Sequence, residues 1–373
     1  MLFLVGGGGR GVAFGLADDV RATLLRDALD RLLASEPNQP EHDALAGALE
    51  GELALALLLT DQVEERVALV HRSLERARPA APGPSLAQAL LNVRIAKLGP
   101  RDVRDRLADA DEVLALPGPA RTAEQTLAAL VSRHEDLLLL GDRRAAVVAL
   151  DEATALADQH AHPYWRWVTA TWLALEAIID GRLDDAEQLA FEATTRQVGD
   201  HPEAMACLGV NLIDIRLYQG RAGELLDLVA AAADANPHIP CYRAVLALCA
   251  AQAGDAERAS VAYDHFAAEH FTNIPADTNR LLTLGVLAHT TVDLDRRAHA
   301  GVLTDLLAPY AGQQIVLNCF GGGGSYWGPV AHQLGRLARL AGHDTAARWF
   351  DQASTEADDF GAPLAAARIA ADR

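Results

Sequence analysis

Lysine is almost missing from this chain. Of its 32 lysine-plus-arginine side chains only Lys97 is a lysine, and the arginines are scattered among 51 acidic residues, leaving a net charge of −19. A protein that grips a duplex displaces counterions with a basic face. No such face is visible, so direct nucleic-acid binding is not expected. The single lysine, with no GxxxxGK[ST] anywhere, also speaks against a phosphate-loop ATPase. Aromatic residues are scarce at 5%, and the four cysteines, Cys207, Cys241, Cys249 and Cys319, form neither a CxxC pair nor a Cys/His cluster with zinc spacing. They read as buried, reduced thiols, and no metal or other cofactor is expected. No run reaches the roughly 18 apolar residues of a membrane helix. The apolar start Met1–Val5 has no basic leader and is too short for a signal peptide. A soluble, cytoplasmic chain with no membrane contact follows as the expectation.

What is present is helix-forming and repetitive. Half of the residues are apolar, mostly Ala, Leu and Val, the mixture of closely packed helices. A phrase recurs: Gly, polar, two variable residues, acidic or small, then Ala or Leu. It reads Gly141-Asp142-Arg143-Arg144-Ala145-Ala146, then Gly181-Arg182-Leu183-Asp184-Asp185-Ala186, and returns from Gly220, Gly254 and Gly342. A degraded copy, Val292-Asp293-Leu294-Asp295-Arg296-Arg297-Ala298, fills the longest gap, and the steps are 40, 39, 34, 38 and 50 residues. Periods of this size indicate stacked helical hairpins. Glycine ends one helix in the left-handed conformation and the polar residues start the next. The first third reads as five helices, 18–35, 41–59, 61–78, 86–97 and 102–116, interrupted by Pro79, Pro82 and Pro84.

The fold class expected is therefore all-α: a right-handed α-solenoid of tetratricopeptide-like hairpins. Residues 1–117 form divergent hairpins and 118–373 the repeats, with an inserted Gly-rich loop at 312–325, all in one continuous array. Within that loop Gln313–Leu317 is extended in character.

Several stretches carry a family resemblance. The block Leu306–Gly312, then Gly328-Pro329-Val330 and Leu334–Ala338, with Gly8–Gly15, Glu64–Leu69, Tyr164–Trp167 and Phe191–Ala193, resemble the tetratricopeptide region of large bacterial LuxR-type and signalling-ATPase regulators and of related nucleotide cyclases. The resemblance implies a regulatory binding or sensor role. The ATPase, cyclase and DNA-binding modules of such proteins have no counterpart here, so it implies the sensor part alone, as a fragment or in a use of its own.

No recognisable catalytic constellation exists. The run Gly6–Gly11 is similar to the oxyanion loop of patatin-like lipases but lacks a GxSxG serine, and the Gly321–Gly324 run lacks the lysine of an anion cradle. His160, His162, His201, His265 and His270 lack the i, i+4 spacing of a helical metal pair. Counting back from each phrase in tetratricopeptide register places two inward positions on the first helix of each repeat: Val131 and Glu135, Thr171 and Leu175, Val210 and Asp214, Ala244 and Leu248, Leu282 and Val286, His332 and Arg336, with His289 one turn beyond Val286. Apolar walls with isolated polar groups are what a small-molecule pocket requires. The same positions are equally what inter-helix packing requires. Tyr164 and Trp165 add an aromatic patch that packs between repeats or meets a ligand. Two functions follow. One is a non-catalytic sensor binding a protein partner or small effector. The other is an enzyme or binding protein for a hydrophobic metabolite, with Glu135, Asp214 or His289 as acid/base groups.

Overall fold

The computed structural model describes residues 19–35, 40–58, 60, 62–196, 202–319 and 321–373. The glycine-rich start and His201 lie outside the described residues. The elements are helical almost throughout: α1 (Asp19–Ala34), α2 (Pro40–Ala56), α3 (Val63–Ala77), α4 (Pro84–Ala96), α5 (Val103–Ala115), α6 (Ala123–Leu139), α7 (Arg143–Gln159), α8 (Pro163–Ile179) and α9 (Leu183–Arg196). There follow α10 (Pro202–Tyr218), α11 (Leu226–Ala235), α12 (Pro240–Gln252), α13 (Ala256–Ala267), α14 (Arg280–Asp293), α15 (Ala300–Leu307), β1 (Gln314–Cys319), β2 (Gly322–Pro329), α16 (Val330–Ala341), α17 (Ala346–Phe360) and α18 (Pro363–Asp372). The all-helical class is the class observed.

The repeated phrase does what its glycine predicts. Gly141, Gly181, Gly220, Gly254 and Gly342 all have φ between 70° and 85°. At each, the following amide reaches back five residues, as Asp142 N to Leu137 O (2.9 Å) and Arg182 N to Ala177 O (2.9 Å). These bonds satisfy carbonyls that a helix end leaves open. In the degraded copy Asp295 takes the glycine's place at φ 50°, with the same bond from Arg296 N to Thr291 O (2.9 Å). Short polar side chains tolerate that conformation better than most. Thr122 and Gln125 open α6 as a reciprocal cap: Gln125 N donates to Thr122 Oγ1 (3.1 Å) and Thr122 N to Gln125 Oε1 (3.0 Å).

The chain forms two compact units, 1–98 with 102–136 and 146–169, and 99–101 with 137–145 and 170–373. The division is interleaved along the chain rather than falling at a single point such as 117/118. In the first unit α2 packs on α1, α3 and α4, and α5 on α4. A buried ionic network lies there. Arg94 donates to Glu135 (2.9 Å) and to Asp136, and Arg106 Nε donates to Asp136 (2.9 Å). Burial raises the Asp136 carboxyl against the pull of both arginines. In the second unit α12 packs on α11, α13 and α14, α16 on α14, α15 and α17, and α18 on α17.

The segment expected as an inserted loop is an antiparallel β-hairpin. β1 pairs β2 with Val316 opposite Tyr326, Leu317 opposite Ser325 and Asn318 opposite Gly323, with irregularities between Gln314 and Val316 and after Leu317. Every residue of β2 is buried, and the hairpin packs on α10, α14 and α17. Its glycines make this possible. A Cβ on Gly323 would lie 2.6 Å from Thr171 O and 2.8 Å from Trp172 Cα, so only a bare backbone passes α8 at that distance.

Candidate functional site

The inward-facing side chains of α8 and α10 hold this hairpin. Thr171 Oγ1 accepts from Gly323 N (3.2 Å) and Trp172 Nε1 donates to Gly321 O (2.8 Å). Asn211 Nδ2 donates to Gly324 O (2.8 Å), and Tyr218 OH to Tyr326 O (3.2 Å). Asp214 is the hub. Its Oδ1 accepts from Ser325 Oγ (2.7 Å) and Trp327 Nε1 (3.1 Å), and its Oδ2 from Tyr326 N (2.8 Å). Burial pushes its carboxyl up to about 7, against those three donors and the nearby Arg368.

A second polar cluster lies beyond Trp327. The Arg368 guanidinium sits 5.0 Å from the Trp327 ring and 5.2 Å from the Tyr218 ring, in cation–π range. His289 meets Trp327 edge to face at 5.7 Å, and its Nε2 lies 3.7 Å from Asp293 Oδ2. Arg336 pairs with Asp293 (3.0 Å) and Asp372 (3.1 Å), and His332 Nε2 lies 2.8 Å from Asp372. Burial lowers both histidines, His289 well below its ordinary value, with Asp372 opposing the shift at His332. Asp372 is held below its usual range, burial opposing, by His332 and Arg336.

The chain matches no protein-family model and no curated protein sequence. The geometry alone therefore bears on the residues singled out from the sequence. The candidate pocket and acid/base residues are buried except Tyr164 and Val210, which are half-buried, whereas His160, His265 and His270 are exposed and His162 is half-buried. Thr171, Leu175 and Asp214 face the hairpin rather than an open groove: a Cβ on Gly323 would touch Leu175 Cβ at 3.0 Å. Asp214 and His289 both contact Trp327, the first at its indole N–H and the second edge to face. His332 belongs to the Asp372 cluster, and Leu248, Leu282 and Val286 are core side chains of α12 and α14. In the first unit, Glu135 is paired with Arg94 (2.9 Å) and Val131 is fully buried. Trp165 packs edge to face with Tyr164 at 5.3 Å, and Tyr164 lies 5.7 Å from Trp167. Among the described residues no three His, Cys, Asp or Glu side chains are grouped to hold a metal ion, and no helix is long and apolar enough to cross a membrane.

Two features escaped the repeat-based reading. Ser325, Tyr326 and Trp327 follow glycines and alternate poorly, yet an Ile-Val-Leu run and a Tyr-Trp pair around a glycine cluster is a hairpin signal. The other is a cavity of about 710 Å³ in the first unit, between α2, α3, the 79–83 connection and α4. It had no sequence signal beyond small residues.

Proposed function

We propose that the chain is a non-catalytic helical-repeat binding module of a bacterial regulatory system, that it acts in the cytoplasm, and that it recognises a protein partner. The observation that carries this reading is the state of Asp214. A carboxyl near neutrality in a cleft is an acid/base candidate, but both oxygens of this one are taken by the chain's own hairpin, and it is 1% exposed. Glu135, the other carboxylate of the metabolite reading, is likewise tied to a buried arginine. The inward positions thus support a rigid scaffold, and a scaffold of helical hairpins offers its remaining surface to another macromolecule. The repeat phrases and their resemblance to regulator tetratricopeptide regions support the regulatory context.

Pairing the chain in a two-hybrid array with the products of the genes flanking its own, then measuring each positive pair by calorimetry with purified proteins, tests the reading. A saturable complex with a dissociation constant of about 10 μM or tighter is expected. Turnover of a small molecule that disappears in Asp214→Asn would overturn it, as would the absence of any saturable pair.

A further inference from the structure

The cavity in the first unit plays no part in that reading. At about 710 Å³ it falls in the size range of small-molecule sites. Small residues, Ala44, Gly47, Ala48, Ala77 and Ala89, make up much of its lining. The polar side chains that line it are His42, Asp43, Ser73, Arg76, Gln88 and Asn92. Asn92 is 5% exposed; its Oδ1 accepts from Gln88 Nε2 (3.0 Å), while its Nδ2 donates to no described group. Gly51 lets that nitrogen in, since a Cβ there would lie 2.1 Å from it. Arg76 stands one helical turn away along α2, where a Cβ on Gly47 would lie 3.8 Å from its Cδ. Its Nε is spent on buried Glu50 (3.0 Å) and its Nη1 on Asp43 (2.8 Å). Asp43 is 62% exposed, a solvent-screened partner that an incoming anion can replace. The Gly47 carbonyl accepts from Ser73 Oγ (2.7 Å), which leaves Asp43 as the acidic group of the lining.

We propose that this cavity binds a small organic carboxylic acid, its carboxylate held by Asn92 Nδ2 and the Arg76 guanidinium and its apolar body resting on the alanines. Arginine and a carboxamide donor match a carboxylate's two oxygens, and contact with the alanine side chains removes part of the guest's apolar surface from water. The inference rests on the binding-module reading in treating the guest as an effector rather than a substrate.

The test uses the full chain and three probes of one shape: phenylacetate, phenylacetamide and phenethylamine, titrated by calorimetry at neutral pH. Phenylacetate binds about tenfold tighter than the amide, the difference expected of a charge-assisted contact, and the amine does not saturate. Ala48→Leu, which adds bulk to the lining, and Asn92→Leu, which removes the donor and keeps the branched four-atom side chain, each weaken phenylacetate at least about tenfold while circular dichroism shows an unchanged helical fold. Equal affinity for the three probes overturns the proposal. So does the absence of phenylacetate binding, or binding that neither variant weakens. A chain that forms its protein complex but binds no probe loses this inference alone. One that binds phenylacetate here yet turns over a substrate through Asp214 loses the module reading alone.

Discussion

The two units solve the same packing problem in different ways. In the second, the inward faces of α8, α10 and α14 are filled by the β1–β2 hairpin, and the polar side chains Thr171, Asn211 and Asp214 are bonded to its backbone or side chains. In the first, α2, α3 and α4 meet through glycine and alanine, and a cavity remains with the buried Asn92 carboxamide in its lining. Helical hairpins of similar length thus give a sealed interior in one place and an open one in another. The difference is not in the helices. What differs is what stands between them, a non-helical insert in one case and small side chains in the other.

Substitutions that press on each interior break or sharpen this contrast. The largest effect is expected for Leu175→Glu. The leucine is fully buried against the Gly323 backbone, and an unpaired carboxylate there costs more than ~5 kcal/mol, enough to unfold a protein of ordinary stability. Loss of the cooperative thermal transition is the readout; a folded variant would mean that the hairpin leaves space beside α8. Next comes the pH dependence set by Asp214. Its folded carboxyl titrates at about 7, against roughly 3.9 in an unfolded chain. The folded state therefore holds the proton more tightly, and this group's stabilisation is complete below the unfolded value and is lost as pH rises through 7. Up to ~4 kcal/mol is at stake across that window. Urea unfolding should show the unmodified chain losing stability relative to Asp214→Asn between about pH 4 and 7, and parallel curves would remove Asp214 as the cause. Gly323→Val follows, at ~3 kcal/mol, because its side chain meets backbone atoms that cannot turn away. Ala48→Leu, at an exposed position on the lining of the first unit's cavity, should cost less than ~1 kcal/mol, since it meets no packed neighbour there. A cost for Ala48→Leu equal to that for Gly323→Val would erase the distinction between the two interiors.

The helical skeleton was legible because each repeat turn is written in local chemistry. A glycine at the left-handed position with a polar residue after it can be read without knowing what surrounds it, and even Asp295 declares itself by standing where the glycine should be. The five N-terminal helices were likewise readable from proline and polar breaks. The site was not, because its meaning depends on partners more than a hundred residues away. Thr171 and Asp214 have the same spacing from their turn glycines whether they face a ligand, a neighbouring helix or an inserted strand. Nothing in α8 or α10 tells that Gly323 and Ser325 will arrive there. The cavity was illegible for the opposite reason: alanine at positions 44, 48 and 89 is what any helix would accept, and only the packed arrangement shows that nothing larger fills the gap.

The hairpin also sets the order in which the second unit can assemble. In an array whose repeats touch only their neighbours, folding can nucleate anywhere and spread by short loop closures. Here the bond from Trp172 to Gly321 closes 149 residues, and those from Asp214 to Ser325 and Tyr326 close 111 and 112. Contacts of such separation must await the chain between them, and they slow the search for the native state. The inner surface of α8 and α10 stays wet until β2 is made, so the late-synthesised strand converts a series of semi-independent repeats into one cooperative body. Trp172, buried beneath the hairpin, is placed to report that last docking step by its fluorescence, after the helical signal has already been recovered.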